Sequence, residues 1–340
     1  MFHLDKTPSL LRAALCSLAA LSAFSIAATS DAQTVAMDPS QPLPADIRAA
    51  FDAIPADPPP VEITLGSHYY VSNELAHWVM RDRLAGTGGV YIGVGTEQNY
   101  VLAGFARSAF VILLDFDEAI GHLHYAYRGF ALASATPEEF LAWWDEDRMD
   151  EARTLLSTTL EPDQLEATMR VLDDTIDRCG SRLRRLARWY EEQNVAIFVN
   201  DQTEYDFFRS IFQNERALII RGDLTASASM QGIGRVAAEH NMPIRVVYLS
   251  NTEQYFEYGG GFDANMEAMN FDDTSWVIHT RHFSGWPRVE GDDYHYLMQP
   301  GPNLVAWLRD DVGDFFRMVR HARSHQETGL SILDRTPEED

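Results

Sequence analysis

From Val61 onward the chain alternates short apolar runs with longer amphipathic stretches, which is how strands and helices read when they follow one another. The apolar runs predict strands over residues 89–94, 109–114, 195–199, 217–221, 244–249 and 276–280, with a further one over 294–298. Between 136 and 193 the period becomes helical and charged, opening on Thr136-Pro137-Glu138-Glu139, an N-capping sequence. That block is too long for a simple crossover. It predicts an insertion of two or three helices with Trp143, Trp144, Leu155, Leu165, Met169, Leu172, Ile176, Leu183 and Leu186 turned inward. A last helix is predicted over 303–323, with Val305, Leu308, Val312, Phe315, Phe316 and Val319 as its apolar face, and a flexible tail over 325–340. The expected fold class is α/β: a mostly parallel sheet flanked by helices, in one domain over 61–324 with a helical insertion.

The amino end follows a different pattern. Lys6 and Arg12 precede an apolar run over 13–28, and small residues stand at Ser30 and Ala32, which reads as a secretory signal cleaved after Ala32. An uncleaved anchor is the alternative. Cys16 follows Leu15, not the small residue that lipid attachment requires. The apolar run is short for a membrane span and no later segment is long enough, so no span is expected after cleavage. Seven of the chain's fifteen prolines lie between Met37 and Pro60, interspersed with aspartates. This density predicts a tether over 33–60, with at most one helical turn near 45–53.

Composition narrows the partners. The 340 residues carry 51 acidic against 27 basic side chains, a net charge of -24, which repels phosphate backbones and anionic headgroups and excludes nucleic acid. Loss of residues 1–32 removes Asp5, Lys6, Arg12 and Asp31 together, so the charge is unchanged. It also leaves Cys179 as the single cysteine, expected as a buried structural thiol on a helix. Arg182, Arg184, Arg185 and Arg188 form the one basic cluster, read as a solvated helix face paired with nearby acids, with an anion site as the alternative.

Four constellations could carry chemistry. Gly93-Val94-Gly95 ends an apolar strand, precedes a predicted helix through Thr96, Glu97, Gln98 and Asn99, and is followed by a second strand closing on Asp115 and Asp117. Glycines let a backbone approach a ligand, and an acid at the next strand end takes ribose hydroxyls. A purely structural βα turn remains the alternative, because the third glycine of the dinucleotide fingerprint is missing. Arg221-Gly222-Asp223 and Ser250-Asn251-Thr252-Glu253-Gln254-Tyr255 likewise follow apolar strands, so the loops after 94, 114, 221 and 249 are expected to converge on one edge of the sheet. Helix capping by Asp223 and Asn251 is the alternative there. His122 and His124, and His279 and His282, have no partners at metal spacing, so no metal site is expected. No Gly-x-Ser-x-Gly sequence is present, which argues against acyl transfer from a nucleophile elbow.

Val71-Ser72-Asn73-Glu74, the Gly88 to Asn99 stretch GGVYIGVGTEQN, Gly222-Asp223 and the Leu249 to Tyr255 stretch LSNTEQY together resemble an uncharacterised bacterial family of domains of unknown function. Its members resemble class I S-adenosylmethionine methyltransferases in their Rossmann core. The likeness spans roughly Ser67 to His282. It implies a Rossmann-like, methyltransferase-like core, with S-adenosylmethionine as the cofactor such a core would take. Gly93, Gly95, Glu97, Gln98, Asn99, Asp115, Asp117 and Asp223 then fall on its cofactor side. Asn73, Glu74, Ser250, Asn251, Glu253, Gln254 and Tyr255 would surround a substrate pocket. Two departures matter: Thr96 stands where the family usually has Pro, and Phe116-Asp117-Glu118 stands where it tends to be basic, which speaks against an anionic ligand there.

The leading functional expectation is an exported protein, periplasmic or secreted, holding an adenosine-containing or other small ligand at the strand ends. Export conflicts with S-adenosylmethionine chemistry, because that cofactor is made and used in the cytoplasm. Two other classes stand beside it. One is a non-catalytic envelope scaffold presenting Trp276, Phe283, Trp286, Tyr294, Tyr296 and Trp307 to a partner. The other is a hydrolase using Glu74, Glu97, Asp223 and Glu253 as paired acids.

Overall fold

The computed structural model describes residues 37–63 and 66–339; the leader expected over 1–32 lies outside them. Long apolar runs become the strands of a sheet buried on both faces. β1 (Val90–Val94), β2 (Phe110–Asp115), β3 (Ala217–Arg221), β4 (Ile244–Tyr248) and β5 (Trp276–Arg281) are followed by β6 (His295–Pro300), β7 (Arg323–Glu327) and β8 (Leu330–Leu333). They form an eight-stranded sheet in the order β3-β2-β1-β4-β5-β6-β8-β7. The first five are parallel, with Tyr91 opposite Val111 on one side of β1 and Val246 on the other. β6 runs antiparallel to β5, β8 parallel to β6, and β7 antiparallel to β8.

Side chains on successive strand positions point to opposite faces. Tyr91, Val111 and Leu113 therefore enter one core while Val90, Ile92, Ile112 and Leu114 enter the other. The helices in chain order are α1 (Ala45–Asp52), α2 (Arg81–Leu84), α3 (Gln98–Ala106), α4 (Glu118–Ala133), α5 (Pro137–Ala142), α6 (Met149–Thr159), α7 (Pro162–Glu192), α8 (Gln202–Gln213), α9 (Ser229–Glu239), α10 (Gly260–Ala268), α11 (Gly301–Arg309) and α12 (Phe315–Ala322). α3 to α8 cover the first face, and α1 with α9 to α12 the second.

The expected insertion is three helices, α5 to α7. Thr136 caps α5 by accepting the Glu139 N–H at 3.2 Å, while the Glu139 carboxylate takes the Ala135 N–H at 2.7 Å, as the capping sequence predicts. α7 buries Thr168, Leu172, Thr175, Ile176, Cys179, Leu183, Leu186 and Tyr190, a stripe at helical spacing facing α4. Cys179 is buried as expected, and burial pushes its thiol pKa well up.

Four expectations are corrected. Residues 195–199 form no strand: Ile197, Phe198 and Val199 are buried in a turn closed by the Ile197 N–H to Asn200 Oδ1 at 2.7 Å, so the apolar run reflects burial alone. The last helix is broken into α11 and α12, because Asp311 and Gly313 take φ of 55° and 78° and Asp314 then caps α12. The tail is not a flexible end, since β7 and β8 make a hairpin whose Leu330, Ser331, Ile332 and Leu333 are buried in the sheet. The proline-rich segment is not a tether: α1 packs Ile47 and Phe51 into the second core, joined by Leu43 and Ile54. Its prolines flank the helix rather than interrupting it, so they fix the chain's direction without preventing packing.

Candidate functional site

The site grows from the end of β1. There Gly95 takes φ of +90°, a conformation that side-chain-bearing residues avoid. Its N–H donates to Asp115 Oδ2 at 3.1 Å, and the other oxygen of Asp115 accepts the Asp117 N–H at 2.9 Å. One carboxylate at the end of β2 thus ties together the turns after β1 and β2. The Gly95 carbonyl accepts from Asn99 Nδ2 at 3.0 Å and from His124 Nε2 at 2.8 Å, and His124 Nδ1 lies 2.6 Å from the Tyr100 hydroxyl. Burial lowers the His124 pKa to about 4, so a neutral ring serves the carbonyl as donor and the tyrosine as acceptor.

Burial, opposed by the Asp117 and Gly95 amides and reinforced by the nearby Asp117 charge, raises Asp115 to about 7. Asp117 caps α4 through the Ala119 N–H at 3.1 Å, and its other oxygen lies 2.7 Å from His68 Nδ1. A cleft of about 570 Å³ opens here, outside the carboxyl ends of β1, β2, β3 and β4. The four loops after 94, 114, 221 and 249 do converge on it. Gly95 and Gln98 enter after β1, Asp115 and Asp117 after β2, Asp223 after β3, and Ser250, Asn251, Gln254 and Tyr255 after β4. Asn73 joins from the segment before α2, its amide donating to the Tyr294 hydroxyl at 2.7 Å. Neither Asp223 nor Asn251 caps a helix: Asp223 accepts from Thr225, and Asn251 precedes a single 3₁₀ turn without a side-chain cap bond.

Five expected site residues turn away from the cleft. Gly93 and Asn99 pack together, where a side chain on Gly93 would run into Asn99, whose Oδ1 accepts the Tyr91 hydroxyl at 2.8 Å. The other three are the motif glutamates. Glu74 accepts the hydroxyls of Tyr248 at 2.6 Å, Ser250 at 2.6 Å and Thr280 at 3.0 Å, and lies 3.3 Å from His77. Burial raises its pKa, but the bonds from His77, Ser250 and Tyr248 outweigh that and hold it below the ordinary value. Glu97 is fully buried, 2.6 Å from Arg182 Nε, and also accepts the Thr96 hydroxyl at 2.6 Å. Glu253 lies 2.6 Å from His279 Nδ1 and accepts the Tyr258 hydroxyl. Of the four acids of the hydrolase reading, only Asp223 reaches the cleft.

Arg182 departs from the expected solvated face. It is 8% exposed, bonds Glu97, and donates to the Glu74 carbonyl at 2.6 Å. Burial lowers its pKa, yet the Glu97 carboxylate more than compensates and raises it overall. Arg184 of the same cluster pairs with Asp145. The scaffold's expected aromatic face is also absent as a surface: Tyr296 and Trp307 are buried, and Trp276, Phe283 and Trp286 pack against the cores. No group of His, Cys, Asp or Glu among the described residues could hold a metal ion.

A family model for a domain of unknown function, DUF7790, matches residues 69–334, most of the chain. The chain belongs to the DUF7790 family. No curated protein matches it. The DUF7790 match takes in every strand, the insertion and all the motif residues, and leaves α1 outside.

Some residues that build the DUF7790 cleft were not assigned to it from the sequence. Tyr69 lines it from a segment given no element, Tyr294 from the start of a predicted strand and His282 from the pair weighed only for metal, and Asp57 supports it from the segment read as a tether. Asp57 is 1% exposed; it accepts the Asp223 N–H at 3.0 Å and the Ala228 N–H at 2.9 Å, fixing the loop after β3 and the start of α9. Arg182 carried a sequence signal. It sits three residues after Cys179 and four before Leu186, on the buried stripe of α7.

Proposed function

We propose that this protein is an exported ligand-binding domain whose core is Rossmann-like in the manner of class I methyltransferases. In this reading it holds a small adenosine-containing ligand in the cleft at the strand ends. The strand order β3-β2-β1-β4-β5, all parallel, supports the reading, because doubly wound sheets take ligands where the order reverses, here between β1 and β4. The observation that carries it is the pairing of Gly95, left-handed and on the cleft wall beside the Gln98 amide, with Asp115 and Asp117 at the end of the neighbouring strand. Gly95 keeps the backbone low enough for a base or ribose to approach, and each carboxylate retains lone pairs for hydroxyls after its amide bonds are made.

Export follows from the leader of Lys6, Arg12, the apolar run and Ala32. An exported domain would meet little S-adenosylmethionine, so the reading favours a nucleoside-type ligand over methyl transfer, and fold alone does not choose the chemistry. Among the described residues no helix is long and apolar enough to cross a membrane.

Calorimetric titration with adenosine, S-adenosylhomocysteine and S-adenosylmethionine tests this, with Asp117→Asn as the control. Saturable heat from adenosine that the variant loses supports the reading. Absence of heat from all three contradicts it. Heat from both S-adenosyl compounds without heat from adenosine would restore the methyltransferase alternative.

A further inference from the structure

We propose that the same cleft selects an organic cation, a methylated ammonium, at its tyrosine rim. The proposal rests on the reading of the cleft as a ligand site and adds the charge its occupant carries. Glu62, Asp115, Asp117 and Asp223 line the cleft, while no arginine or lysine among the described residues does. Lys6 is the only lysine in the sequence, and two arginines near the strand ends are committed elsewhere: Arg182 to Glu97 and Arg221 to Glu118. Arg281 reaches the rim through Gln254 and acts on Tyr255, so a phosphate in this cleft would face four carboxylates against one guanidinium, whereas an ammonium would face more partners than rivals.

The independent second observation is aromatic. The large apolar side chains exposed among the described residues are Val61, Tyr69, Tyr255 and Phe316, and two of these, Tyr69 at 52% and Tyr255 at 49%, stand on the cleft wall. Val61 lies between the lining residues Pro60 and Glu62. Burial raises the Tyr255 hydroxyl pKa, Tyr69 lies close enough to add to that rise, and Tyr294, tethered to Asn73, completes a group drawn from three separate segments. Exposed rings beside carboxylates are the chemistry that recognises quaternary ammonium, since the ring face is electronegative and the methyl groups pack on it. The charge of -24 draws cations toward the protein from a distance.

The test is calorimetric titration of the protein at low ionic strength with choline, with its neutral isostere in which carbon replaces the nitrogen, and with adenosine. Choline is expected to bind about tenfold or more tightly than the isostere, as a ring–cation contact requires. Added salt should weaken it. Tyr69→Leu and Tyr255→Leu, exposed positions whose replacement spares the cores, should each weaken choline by about threefold or more, while leaving the melting temperature unchanged. Equal binding of choline and the isostere, or no choline binding, overturns the proposal. Adenosine heat without choline heat removes the cation proposal alone, and choline heat without adenosine heat removes the nucleoside reading alone.

Discussion

The three motifs around the strand ends each contain a glutamate beside a polar neighbour, and the fold treats the two differently. Glu74, Glu97 and Glu253 are at most 7% exposed, and each is satisfied by buried hydroxyls, a histidine or an arginine. Asn73, Gln98 and Gln254, next to them in sequence, line the cleft, Gln98 from a buried position bonded to Val94 and Thr96. The glutamates are anchors. Glu74 joins the segment before α2 to β4 and β5, Glu97 joins the turn after β1 to α7, and Glu253 joins the loop after β4 to β5. Acids that would read as catalytic in a sequence instead hold the loops that present the cleft, and the chemistry available to a ligand comes from the neighbours and from Asp115, Asp117 and Asp223.

The largest effect expected from breaking this division is at the buried ion pair. Arg182→Ala strands the Glu97 carboxylate and should cost about 3–5 kcal/mol in urea unfolding, with much of that recovered when Arg182→Met is combined with Glu97→Gln. Next, Glu74→Ala removes the acceptor of three buried or part-buried hydroxyls. A loss of about 3 kcal/mol by the same measurement is expected, from an unmade bond at each donor.

A smaller effect is the pH dependence carried by Asp115, whose folded pKa of about 7 lies above its ordinary 3.8. Folding therefore favours the protonated form, and this contribution is complete below about pH 4 and lost as pH rises through 7. His124 and His295, both lowered to about 4, run the opposite way over the acid part of that range. The informative curve is thus the difference between wild type and Asp115→Asn, which should fall with rising pH; a flat difference would show that Asp115 is not desolvated. Least of all, Gln254→Ala should change stability by no more than about 0.5 kcal/mol, because its side chain is exposed and its bond is to the part-exposed Arg281.

The strands β1 to β5 were legible because a parallel sheet buried on both faces leaves unbroken apolar runs, and the convergence of their loops followed because parallel strands end on one edge. Which residue of each loop faces the ligand was not legible, since a turn has no period: in TEQN all of Glu97, Gln98 and Asn99 are buried, and of these Gln98 alone lines the cleft because Arg182 of α7 holds Glu97 and Tyr91 of β1 holds Asn99. Proline density hid α1 and Asp57, whose burial depends on partners in β3 and α9. The short β8 was hidden because Leu330-Ser331-Ile332-Leu333, four residues after a charged strand, are too few to show a period, and only pairing with β6 makes them a strand.

Side-by-side urea unfolding of two adjacent pairs, Asn73→Ala with Glu74→Ala and Glu253→Ala with Gln254→Ala, tests the division of labour most directly. Each glutamate variant is expected to lose about 2 kcal/mol or more and each neighbour less than about 1 kcal/mol. Equal losses within a pair, or a larger loss at the neighbour, would contradict the account of buried anchors presenting an open cleft.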